Sequence, residues 1–163
     1  MHLKDKPIAV KDILLPNDKI NYEKWSVVAC DQFTSQPEYW EELRERIGIE
    51  PSTYDMILPE VYLESMTEDT IKFINLNMYH FIKTEVFKNL GPSMILVERK
   101  TLDDKIRLGL MLSIDLETYD FNLFNKPLIR PTEHTILSRI PPRVTIRKDA
   151  PLELTHVMLL AND

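Results

Sequence analysis

Glycine occurs at only three positions in this chain, Gly48, Gly91 and Gly109, against an average usage of about 7%. A phosphate-cradling loop of the Walker or dinucleotide-binding type needs several glycines within a few residues, so that backbone amides can close around the phosphate. No such cluster exists here. Phosphate chemistry, if the chain has any, must rely on side chains, on a helix N-terminus, or on residues that the chain does not carry.

Side chains suited to that task are concentrated in one place. The segment from Lys126 to Lys148, KPLIRPTEHTILSRIPPRVTIRK, holds six cations and one carboxylate in a chain of formal net charge -6, so its +5 leaves -11 for everything else. It is a basic island in an acidic protein, and the most favourable local field for a small anion or phosphate. Pro127, Pro131, Pro141 and Pro142 forbid a long helix across it and impose an ordered, turning path. Such a path can hold arginine side chains in place.

At 163 residues, the chain is expected to form one domain, residues 1–163, with enough apolar sequence (44%) to bury a core. The acidic balance implies solubility and poor general affinity for nucleic acid. The single cysteine, Cys30, excludes an internal disulfide and any multi-cysteine zinc site, which fits a reducing cytosol. The opening MHLKDKPIAVKDI has no apolar run of signal-peptide length, and no later stretch approaches the roughly 20 apolar residues of a membrane span. A cytoplasmic location without membrane association is the expectation.

Periodicity outlines the elements. WSVVAC (25–30) reads as a short buried strand, with Asp31 just past its end. Thr34 or Ser35 is placed to cap a helix that starts at Pro37, with Glu38 near the positive dipole end and Gly48 as terminator. YDMILPEVYL (54–63) is apolar but broken by Pro59, and reads as an edge strand or extended connection. The clearest helix runs from about Thr67 to Leu90, capped by Thr67 or Ser65, carrying Glu68 and Asp69 in its first turn, and stopped by Gly91 and Pro92. MILVERK (94–100) and KIRLGLMLSIDL (105–116) flank TLDD as an antiparallel hairpin. Residues 156–160 read as a further strand. The sum is an α+β fold: a mixed, largely antiparallel sheet with two main helices, 37–47 and 67–90, packed against it. Ending directly after a strand suggests the amino-terminal part of a longer protein.

Three stretches together, VVACDQFTSQPEYW (27–40), LIRPTEHTILSRIPPRV (128–144) and APLELTHVMLLAND (150–163), resemble the amino-terminal part of the bacterial and archaeal family called domain of unknown function 1015. The likeness covers most of the chain. It departs at two points: His134 stands between Glu133 and Thr135 where the family commonly has glycine, and Thr155 stands where proline is usual. A side chain at 134 fills space that a closely approaching ligand would otherwise use. The resemblance implies a longer protein whose later half carries an Asp-Gly-His-His-Arg motif, similar to one in free serine kinases of the partition-protein and sulfiredoxin-like fold. This chain lacks that motif. On that resemblance the family would be a small-molecule kinase or phosphatase using ATP or ADP with magnesium, and this chain would hold at most part of the site. A partner is then the carboxy-terminal portion of the same protein.

The candidate site follows. Arg130, Arg139 and Arg143 offer planar, paired donors to a phosphate or carboxylate, such as that of a small phosphorylated molecule or nucleotide. Thr132, His134 and Thr135 would add contacts, and Glu133 is the candidate acid/base or metal-holding carboxylate. The bland alternative is that these arginines pair with the acidic surface around them while the prolines shape a loop. Asp31 lies where a strand would feed a helix, a common place for ligand contacts, but turn or capping duty is the favoured reading of it. Cys30, in an apolar run without a cationic neighbour in sequence, reads as an inert thiol. No histidine falls at metal-ligand spacing, so none is assigned to a metal. Two other functions compete: a non-catalytic anion- or nucleic-acid-binding module, and a structural or assembly domain with exposed strand edges. The island contains no aromatic residue, which argues against the nucleic-acid reading.

Overall fold

The structure, a computed structural model, describes residues 7–120, 122, 124, 125, 127, 129 and 136–154, with only the backbone of Arg139. The class is α+β. The expected strand at 156–160 lies outside the described residues. The chain forms two compact units, one from residues 1–15 and 88–135, the other from residues 16–87 and 136–163.

The first unit is built on strand pairs. The described strands are β1 (Ile8–Ala9), β2 (Lys11–Pro16), β3 (Phe87–Ser93), β4 (Ile95–Lys100), β5 (Ile106–Met111) and β6 (Ser113–Ile114). They pair β1 with β6, β2 with β3, and β4 with β5, so among the described residues there are three two-stranded sheets in place of one continuous sheet. The hairpin β4–β5 is antiparallel as its spacing and short polar turn predict, in register from Ile95 opposite Met111 to Lys100 opposite Ile106. Its turn closes with Thr101 N–H donating to the Lys105 carbonyl at 2.9 Å, while Asp104 takes φ +61°, a conformation that a short polar side chain tolerates.

The second unit is helical. It contains α1 (Tyr22–Trp25), α2 (Pro37–Ile47), α3 (Glu68–Lys83) and α4 (Ile140–Arg147), with 3-10 turns at Thr53–Met56, Glu60–Ser65 and Leu137–Arg139. Helix α2 has the expected bounds. Pro37 occupies its first turn and Gly48 ends it at φ +66°, with the Gly48 N–H on the Arg44 carbonyl. The capping position is Gln36, without a side-chain bond, and not Thr34 or Ser35. Helix α3 begins as its sequence predicts. Thr67 Oγ1 accepts from Thr70 N–H at 3.2 Å and Thr67 N–H donates back to Thr70 Oγ1 at 3.4 Å.

Three expectations fail. The helix expected to reach Leu90 stops at Lys83: Thr84 still closes the helical bond to the His80 carbonyl, which its Oγ1 also approaches, and Glu85 then turns the chain at φ +57°. Phe87 to Ser93 is then strand β3, with Gly91 and Pro92 inside it. WSVVAC is not a strand: Trp25 ends α1, which the Asn21 side chain caps by accepting from Glu23 N–H, and 26–29 is irregular chain. Residues 54–63 are not extended either. Ser52 and Asp55 form a capping box at the start of the Thr53–Met56 turn, and Pro59 opens the next turn.

Two buried clusters organise this unit. Trp40, Leu43 and Ile47 of α2 pack against Val27, Val28, Tyr54, Ile57, Val61 and Tyr62. Ile74, Met78 and Phe81 of α3 pack with Trp25, Met56 and Val86, bordered by Phe87, Ala150, Leu152 and Leu154. Of the apolar run after Trp25, Val27 and Val28 are only partly buried, and against helix α2, not in a sheet.

Candidate functional site

Pro141 and Pro142 sit in the first turn of α4, where a missing N–H removes no intrahelical bond. They start a short helix where a long one is forbidden. Thr145 Oγ1 bonds the Pro141 carbonyl at 2.9 Å, and Lys148 N–H bonds the Val144 carbonyl at 2.9 Å. Helical spacing then puts Arg143, Ile146 and Arg147 on one face. That face lines a cleft of about 240 Å³, whose other walls are Cys30, Glu60, Leu63, Met78 and apolar residues on 56–58 and 150–154. Most of its lining is apolar, with Arg143, Arg147, Glu60 and Cys30 among the rest.

Each guanidinium already has a carboxylate. Arg143 Nη2 donates to Glu60 Oε2 at 2.9 Å, and Arg147 contacts Glu153. Glu60 is held from the other side by its backbone, whose N–H donates to the Cys30 carbonyl at 2.7 Å. The contact between Glu60 and Arg143 uses a single nitrogen, and a guanidinium has five N–H donors. An anion could therefore share Arg143 without expelling Glu60. Both arginine side chains are part-exposed, at 46% and 39%, so the carboxylates neutralise them without sealing them from solvent.

Cys30 is half-buried beside these charges. Burial pushes its thiol above the ordinary value of 9.0 and the Asp31 carboxylate adds to the rise, while Arg143 and Arg147 pull it partly back. Burial and Asp31 thus favour the protonated thiol over the two arginines' opposing pull.

Of the side chains singled out in the sequence, Arg143 lines the cleft. Arg130, Thr132, Glu133, His134 and Thr135 lie outside the described residues, and Arg139 is described only as the last backbone position of the turn Leu137–Arg139. Asp31 stands on an exposed turn, where Gln32 Nε2 lies 3.5 Å from its Oδ1, and is not part of the cleft wall. The structure also brings in Arg147 and Glu60, which sequence reasoning did not select. Arg147 carried a usable signal, standing one turn after Arg143. Glu60 carried none. Among the described residues no three His, Cys, Asp or Glu side chains gather as a metal site requires, and no helix is long and apolar enough to cross a membrane.

Comparison with curated proteins and with solved structures returns no match. A family model, described as protein of unknown function (DUF1015), matches residues 12–163, which takes in the α4 cleft. The chain belongs to that family.

Proposed function

We propose that the α4 cleft receives the anionic group of a small phosphorylated molecule or nucleotide, and that the chain contributes this binding half-site to a phosphate-dependent enzyme of the small-molecule kinase or phosphatase kind. One observation carries the reading: Arg143 and Arg147, one helical turn apart, line the same largely apolar cleft. Paired guanidiniums suit a phosphate, and apolar walls suit the organic body attached to it. Glu60 and Glu153 each pair with one of the two arginines, which limits the ordering needed on binding. From sequence alone, Arg130 and Arg139 extend the proposal as further phosphate ligands and Glu133 as the acid/base. Magnesium-bound ATP or ADP would supply or accept the phosphoryl group, and no described residue is assigned to the metal.

Thermal-shift titration with inorganic phosphate, ATP, ADP, serine and phosphoserine tests the reading. A ligand at 100 times its dissociation constant adds about 2.7 kcal/mol to stability. The expected result is a shift with a phosphorylated compound that Arg143→Ala/Arg147→Ala abolishes. No shift with any of them, or a shift that the double variant retains, overturns it.

A further inference from the structure

Helix α3 is apolar on two sides. Ile74, Met78 and Phe81 are buried in the core, while Phe73, Leu76 and Tyr79 are 61%, 65% and 48% exposed on the opposite side. A surface helix ordinarily turns polar residues outward, and large apolar side chains aligned along an outer face mark a contact surface. Ile49, fully exposed, borders a shallow cleft of about 200 Å³ together with Phe73 and widens the apolar margin.

The outer stripe is symmetrical about Leu76. Phe73 precedes Leu76 by the same helical step at which Tyr79 follows it, and Asp69 precedes it by the same two turns at which Lys83 follows. All five are exposed. When two copies of such a helix cross antiparallel with Leu76 on the two-fold axis, each position before Leu76 meets the equivalent position after it on the other copy. Leu76 meets Leu76, Phe73 meets Tyr79, Asp69, which Lys72 of its own helix also approaches at 3.6 Å, meets Lys83, and Lys72 meets His80. A two-fold makes each heterotypic contact twice.

The charge order also discriminates between occupants. Acidic residues, Glu68 and Asp69, stand in the first turn, and His80 and Lys83 in the last. A nucleic acid or an anionic lipid surface would favour a uniformly basic stripe. An antiparallel copy instead places the acidic end of each helix beside the basic end of the other, and the opposed helix dipoles favour the same arrangement. The spacing of the stripe, two steps of seven residues with apolar positions between them, is that of helices packed at a shallow crossing angle of about 20°.

We propose that this face is a self-association surface: a second copy of the chain docks on it, α3 against α3 antiparallel, with Leu76 at the two-fold. The surface is separate from the α4 cleft and does not depend on what that cleft binds.

Sedimentation equilibrium of the 163-residue chain, from micromolar to near-millimolar concentration, tests it. The expected wild-type result is a concentration-dependent rise to twice the mass of one chain. Leu76→Glu places two carboxylates on the axis and is expected to weaken dimerisation by at least about tenfold. Asp69→Lys and Lys83→Asp are each expected to weaken it through like-charge contacts, and the double variant to restore it by reversing both pairs. These positions are exposed, so far-UV circular dichroism is expected to match wild type. A monomer throughout, a dimer indifferent to Leu76→Glu, or a double charge reversal no stronger than the single ones overturns the proposal.

Discussion

Arg143 Nη2 donates to Glu60 Oε2 at 2.9 Å, a bond between residues 83 positions apart that ties α4 to the 3-10 turn at Glu60–Ser65. The arginine is 46% exposed but the glutamate only 13%, so truncating the arginine takes this charge-assisted bond from a mostly covered carboxylate. Exposed pairs contribute about 0–1 kcal/mol and breaking a buried one costs about 3–5. This pair lies between those limits. Arg143→Ala is expected to cost about 1–2 kcal/mol, Glu60→Gln less, and the double-mutant cycle to show coupling of about 1 kcal/mol in urea denaturation. Coupling near zero would show that the bond does not fasten the two segments.

Ser52 is fully buried and donates to the Trp25 carbonyl at 3.3 Å while accepting from Tyr54 N–H at 3.3 Å. The same carbonyl receives Thr53 Oγ1 at 2.8 Å. Ser52→Ala is expected to cost about 1–2 kcal/mol, because it removes a cap and a buried bond. Thr53→Val alone should cost less. The combination should cost more than the two singles summed, since only the double variant strips both side-chain donors from the Trp25 carbonyl. Strict additivity in chemical denaturation would contradict that arrangement.

The elements best legible in the sequence were those fixed by local chemistry. Helix α2 has a proline at its start and a glycine at its end, and β4 and β5 flank a short polar turn. What failed was decided at a distance. Trp25 to Cys30 has the apolar, β-branched content of a strand, but burial comes from Trp40 of α2 and no ladder forms among the described residues. Phe87 continues the helical spacing of α3, yet its ring meets Trp25 edge-on at 5.5 Å as the first residue of β3, after Glu85 has turned the chain. In the candidate site, Arg143 was legible because the basic island and its prolines are contiguous. Glu60 was not, because nothing local in the sequence marks one carboxylate among many as the partner of an arginine in a helix so far along the chain.

Cys30 provides a chemical probe of the cleft. Burial, then the Asp31 carboxylate, raise the thiol, and Arg143 and Arg147 only partly oppose them. The rate of alkylation by iodoacetamide should therefore rise with pH with a midpoint above 9.0. Arg143→Ala/Arg147→Ala should move that midpoint higher still, because both lowering charges are removed. A phosphorylated ligand seated in the cleft should slow alkylation at fixed pH. A midpoint at or below the ordinary value would mean that the arginines prevail over burial.

Asp55 offers a test of what burial does to a paired carboxylate. Burial raises its pKa above the ordinary 3.8, against the Arg44 guanidinium at 2.8 Å and the Ser52 N–H at 3.2 Å, which lower it. A carboxyl whose folded value is raised binds its proton more tightly in the folded state. The stability it contributes is therefore full below the unfolded value of about 3.9 and declines as pH rises through the folded value. Asp55→Asn does not titrate at this position, and all other carboxylates are common to both proteins and cancel. The stability of wild type relative to Asp55→Asn should thus be greatest at the acid end of a urea-denaturation series and fall toward neutral pH. A difference that instead grows in favour of wild type with rising pH would reverse the order of causes, placing the Arg44 charge ahead of burial.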